Sequence, residues 1–205
     1  MSSSTTFLLV GILALLAGTV AWERSERGTR EIALVATLGA AAAGGRVLFA
    51  AIPSAQPVTT ICICAGISLG ARSGAAVGAI AALLSNTFLG QGPWTPWQML
   101  TWGLVGASAG WLRTVLRHRT VLLAFGAAWG ILFGAVMDAY QLAAFGPVFS
   151  WQAFVATDAR GIPFDVAHAV TNVLLLGVAG GALIRLLDRY ETRLSAVIEP
   201  YEEAA

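Results

Sequence analysis

The chain has 205 residues, 57% of them hydrophobic and 11% charged, with mean hydropathy +0.75. A soluble domain carries about 25% charged residues, so a soluble globular fold is excluded and one compact membrane bundle fits the length. The net charge of +1 gives no sign of a nucleic-acid partner.

Residues 1–22 contain no charge, and the run 7–22 is apolar and just long enough to span with help from its flanks. No basic residue precedes the run, whereas Arg24, Arg27 and Arg30 follow it. That order is the reverse of a secretory signal peptide and predicts an extra N-terminal transmembrane or interfacial helix with a basic linker, over residues 1–29. Six core transmembrane helices follow, in residues 30–192, and residues 193–205 form a tail. The predicted segments are 31–52, 58–69, 73–89, 96–116, 121–145 and 163–190. The second is only about 18 Å long at 1.5 Å per residue, too short to cross alone and a source of spare depth that suits a cavity. Residues 146–162, which carry Trp151, Phe154, Asp158 and Arg160, are expected to form a loop that ends at Pro163. The fold class is all-α, a polytopic membrane helix bundle.

All twelve basic residues are arginines, and they set the orientation. With residue 31 on the cytoplasmic side, ten of the twelve fall inside, Arg160 falls outside and Arg46 lies within the membrane. The C-terminus is then cytoplasmic. Three loops, 53–57, 89–96 and 146–162, share the outer face. The middle one belongs to Asn86–Trp102, NTFLGQGPWTPWQMLTW, where Gly90, Gly92, Pro93 and Pro96 force a turn that carries Trp94 and Trp97 among Gln91, Thr95 and Gln98. Rigid prolines, flat aromatic faces and amides suit a ligand loop, and they also suit a membrane-interface turn.

Ionisable residues inside a membrane are costly and mark function by default. Arg46, Asn86 and Asp138 lie in the outer halves of three segments, and Asp165, His168 and Asn172 recur at i, i+3 and i+7 on one face of the sixth. They form a polar belt at the depth of the outer loops, which describes a pocket open to one side. Arg46 has Asp138 as a candidate salt-bridge partner. Small residues at four-residue spacing (Ala36, Ala40 and Gly44; Gly74 and Gly78; Gly126, Gly130 and Gly134) predict close helix packing, and the first set is the best candidate for docking a separate membrane partner. Cys62 and Cys64 read as small buried side chains, since residues two apart on a helix do not face each other.

Catalysis finds little support. The chain has no lysine, hence no Walker A motif, and it has neither HExxH nor GxSxG. His168 with Asp165 would need further ligands to hold a metal, so no metal site is assigned. An intramembrane enzyme using Asp138 and His168 and a purely structural membrane protein remain the alternatives.

The phrases QPVT (56–59) and SNTFLGQGPWTPWQM (85–99), with six core helices and an AxxxA stripe on the first, resemble the substrate-binding (S) component of an energy-coupling factor (ECF) transporter, a vitamin importer class of prokaryotes. The resemblance covers about residues 30–192; the extra N-terminal helix is a departure from it. It implies a non-enzymatic protein of the plasma membrane, without a cofactor of its own, that binds a vitamin from the outer face. It also implies partners: a transmembrane coupling subunit, met by Ala36, Ala40 and Gly44, and two cytoplasmic ATPase subunits that drive delivery inward by toppling the S component. The vitamin pocket would be built from Gln56, Asn86, Gln91, Trp94, Trp97, Gln98 and Trp151, beside Arg46, Asp138, His168 and Asn172 of the polar belt. Several indole faces and amides favour a large flat ring system, cobalamin or a corrinoid first and riboflavin next.

Overall fold

A computed structural model describes residues 29–146 and 149–196, and the expected helix over 7–22 lies outside them. The described residues form six helical rods: α1 (Thr29–Leu48), α2 (Val58–Leu69), α3 (Ala71–Leu89), α4 (Thr95–Trp111), α5 (Arg119–Phe145), and a long last rod made of α6 (Trp151–Leu175), a π-turn (Leu176–Gly180) and α7 (Gly181–Ala196). Three rods, α1, α5 and the last, are long and apolar enough to cross a membrane by themselves. The all-helical bundle and its six core elements agree with the sequence reading.

The short α2 is the centre of the bundle. Ten of its twelve residues are buried, and it touches every other helix among the described residues. An interior helix is shielded by its neighbours, so it needs neither full span length nor a lipid-facing stripe. Its Cys62 and Cys64 are buried free thiols, as expected. Gly70, at φ +89°, turns the chain sharply from α2 into α3, a conformation that L side chains rarely adopt.

The small-residue stripes separate into two kinds. Those of α3 and α5 are internal: Gly74 and Gly78 lie against the backbone of α4 at Gly106 and Trp102, and Gly130 lies against the backbone of α6 at Ala169. At Gly106 a Cβ would run into the Gly74 carbonyl, so no side chain fits between these two helices. On α1, by contrast, Ala36, Ala40 and Gly44 are all exposed, and a Cβ on Gly44 would meet nothing.

One element corrects the sequence reading. Residues 151–162 are helix, not loop. Pro163 invites assignment as a first helical residue, but the helix starts twelve residues earlier, where the Ser150 hydroxyl accepts from the Ala153 amide at 3.2 Å. Pro163 then sits inside the helix, where it removes one amide donor, a defect that packed membrane helices absorb. Trp151, Phe154 and Asp158 are therefore helical residues.

Overpacking the α3–α4 seam should be costly. Gly106→Leu is expected to destabilise the bundle by about 1–3 kcal/mol, read as a lower Tm of the purified protein in detergent, whereas Gly44→Leu should leave the Tm unchanged.

Candidate functional site

The site grows from Arg46, in the last turn of α1. Its Nε donates to Gln56 Oε1 at 3.1 Å. Its Nη1 donates to Ser85 Oγ at 2.7 Å and to Asn86 Oδ1 at 2.6 Å. The guanidinium lies over the indole of Trp102, 4.9 Å from the ring centroid. The candidate salt bridge to Asp138 does not form, because α1 packs on α3 and not on α5. All of the guanidinium's hydrogen-bond partners are neutral oxygens.

Asn86, only 1% exposed, carries the network onward. Its Oδ1 accepts from Arg46, which orients the amide and leaves both Nδ2 protons to donate, to Thr95 Oγ1 at 2.9 Å and to Gln98 Oε1 at 2.7 Å. Thr95 Oγ1 donates to Gln91 Oε1 at 2.9 Å, and Gln91 Nε2 donates to the Leu83 carbonyl at 3.0 Å. The turn between α3 and α4 is thereby tied to both helices from within. Gly90, at φ +108°, ends α3 and begins the turn. The Trp94 ring folds over Gly92, where a Cβ would strike it.

Beneath the turn lies an aromatic layer. Trp97 is buried and stacks on Tyr140 of α5 at 6.1 Å, and Tyr140 meets Phe145 edge-on. Among the described residues, the buried Tyr140 hydroxyl finds no hydrogen-bond partner. Trp102, fully buried, packs on Phe133 at 4.5 Å. Its Nε1 donates to Thr59 Oγ1 at 3.1 Å, and that oxygen lies 3.0 Å from His168 Nε2. Thr59 Oγ1 thus bridges the indole and the imidazole. Phe133 closes the other side of the His168 ring, edge-on at 5.3 Å.

Hydrogen bonds and ring contacts therefore join Gln91, Asn86, Gln98, Arg46, Gln56 and His168 in one connected set spanning α1, α3, α4 and α6. Of the remaining expected site residues, Trp94 and Trp97 belong to the turn and the layer beneath it, and three lie apart. Asn172, fully buried, donates from Nδ2 to the Gly126 carbonyl at 3.0 Å and braces α6 against α5. Trp151 is 70% exposed and packs on Phe154 of its own helix at 5.6 Å. Asp138 groups with Asp158 and Asp165, whereas His168 Nε2 lies against Thr59 Oγ1. Ser85, Thr95, Thr59 and Trp102 are part of the network although sequence reasoning did not assign them to the site. Ser85 and Thr95 adjoin chosen residues in the sequence; Thr59 closes the QPVT phrase, but its role in the network needs the tertiary contact.

Chemically the set, with Trp94 and Trp97 beside it, offers one guanidinium, several side-chain amides and three indoles. Such groups can hydrogen-bond to and stack on a flat ligand. The set contains no activated nucleophile.

The family model described as ECF-type riboflavin transporter, S component, matches residues 29–185. No curated protein and no solved structure matches the chain.

The Arg46–Asn86 contact should carry measurable coupling. A double-mutant cycle with Arg46→Met and Asn86→Leu is expected to return a coupling energy of about 1.5–3 kcal/mol, the range for hydrogen bonds to a charged group, read by unfolding of the detergent-solubilised protein.

Proposed function

The chain belongs to the S components of ECF-type transporters, and from that premise we propose that it captures riboflavin at the outer face, at the Asn86–Trp102 turn. The family match over residues 29–185 carries the reading. It favours riboflavin, the second choice from composition, and lends no support to cobalamin. The vitamin's tricyclic ring has two flat faces suited to indoles and one edge of alternating donors and acceptors suited to amides. Gln91, Gln98 and Gln56 are bound to one another's neighbours in the ligand-free protein, so an incoming ring edge exchanges hydrogen bonds with them instead of stranding buried groups. Arg46 holds the amides in register. Trp94, half-buried at the rim, is the face a ligand meets first.

We further propose that α1 docks the transmembrane coupling subunit, which in turn engages two cytoplasmic ATPase subunits. The exposed stripe Ala36, Ala40 and Gly44 supports this. In lipid, exposed apolar side chains gain nothing from burial against another helix, so association relies on close backbone approach, which small residues permit. The stripes on α3 and α5 are already used inside the bundle. The orientation that puts the pocket outside and the C-terminus in the cytoplasm rests on the arginine distribution.

Riboflavin fluorescence tests the first proposal. Purified protein should quench it on titration, and Trp94→Ala and Gln98→Ala should each weaken the Kd by about tenfold or more, the loss of roughly 1.4 kcal/mol. Tight binding of another vitamin with no flavin signal would overturn the assignment. Uptake tests the second: Ala40→Trp should retain wild-type riboflavin affinity and lose transport in cells that supply the coupling module. Transport at the wild-type rate would remove α1 as the docking face.

A further inference from the structure

Asp138 of α5 and Asp158 and Asp165 of α6 bring one carboxylate oxygen each to within 4.8 Å of one another. Asp158 and Asp165 are seven residues apart, two helical turns on one face, and α5 supplies the third oxygen from across the seam. Among the described residues, no hydrogen-bond donor serves any of the three. Asp165 is only 7% exposed, and it is aimed into the cluster through the space left by Gly134, where a Cβ would collide with its carboxylate. One oxygen of Asp138, Oδ2, is fully buried and unpartnered and lies in the corresponding gap beside Gly161. Two glycines thus admit two carboxylates to a seam where no protein group answers their charge. Burying an ionised carboxylate without a partner is among the costliest arrangements a fold can hold. One buried carboxylate with two half-buried ones beside it suits a shared cation.

We propose that Asp138, Asp158 and Asp165 form a binding site for a divalent cation of the calcium class, which clamps α5 to α6. Three carboxylates are a hard, all-oxygen donor set, which selects calcium, magnesium or manganese over zinc or copper. Size selects among those. Calcium–oxygen distances of about 2.3–2.6 Å allow ligand oxygens to lie up to about 5 Å apart, whereas magnesium at about 2.0–2.1 Å demands a tighter octahedron. Oxygens that all lie within 4.8 Å of one another can converge on a calcium ion through small side-chain adjustments. Three carboxylates fill only part of a calcium shell of about six to eight oxygens; water supplies the rest, entering past the half-buried Asp158. The site is separate from the Arg46 network: none of its three residues shares a hydrogen bond with that set.

Calorimetric titration of the full-length, chelator-treated protein in detergent with calcium chloride tests this. The wild type should bind one calcium saturably. Magnesium should bind at least tenfold more weakly. Asp165→Asn and Asp138→Asn should each weaken calcium binding at least tenfold, while Asp188→Asn, at the opposite end of the helix, should leave it unchanged. Absence of saturable binding by the wild type at millimolar calcium would overturn the proposal, as would wild-type affinity in Asp165→Asn protein that remains folded by its melting transition. Flavin titration of the same samples is independent: calcium binding without flavin binding would sustain this site while refuting the vitamin assignment.

Discussion

A half-buried guanidinium at the end of the bundle that carries the tryptophan turn has to be satisfied, and the arrangement that satisfies Arg46 organises everything around it. An intramembrane charge is expensive unless polar groups and aromatic faces surround it. Arg46 draws in Gln56 from the loop before α2, Ser85 and Asn86 from the end of α3, and the Trp102 face from α4. Asn86 then has one orientation only, and through Thr95 and Gln98 it sets the start of α4. The tryptophan turn is thus positioned by side chains behind it and has no need of a long anchoring loop.

That arrangement depends in turn on how closely the helices approach. The backbones of α3 and α4 meet at Gly74 and Gly106 with no room for a side chain, and this nearness lets Asn86 and Gln98 share a hydrogen bond. Close approach is the main source of helix association in lipid, where apolar side chains have no water to escape. The same rule explains why a stripe of small residues left exposed on α1 reads as a surface with a partner. It also explains why α2, surrounded on all sides, can be short and still occupy the centre. Thr59 on α2 links Trp102 to His168 and so ties the outer network to the second pair of long helices.

Much of the candidate site was legible before the fold. Arg46, Gln56, Asn86, Gln91 and Gln98 were selected by polarity at a shared depth and by the phrases around the turn, and the structure joins them. Those arguments rest on the cost of polar groups in lipid, which acts on each residue wherever it sits. The pairing of Arg46 failed for a matching reason. Opposite charges at equal depth suggested Asp138, but depth says nothing of which helices are neighbours. The loop assigned to 146–162 failed because proline is a local signal, and the capping serine that overrides it lies thirteen residues away. With that error removed, the spacing of Asp158 and Asp165 becomes a face of one helix and the acidic cluster becomes visible.

The amino-acid sequence alone determined that this is a helical membrane bundle, that its arginines sort to one side and that its tryptophan turn lies on the other. Composition and hydropathy decide these things because partition between lipid and water acts on each segment separately. Only the tertiary structure decided which small-residue stripe remains open, which neutral oxygens receive Arg46 and which three carboxylates converge. Each of these is a matter of helix neighbours and rotation about the helix axis, settled by packing between segments far apart in the chain.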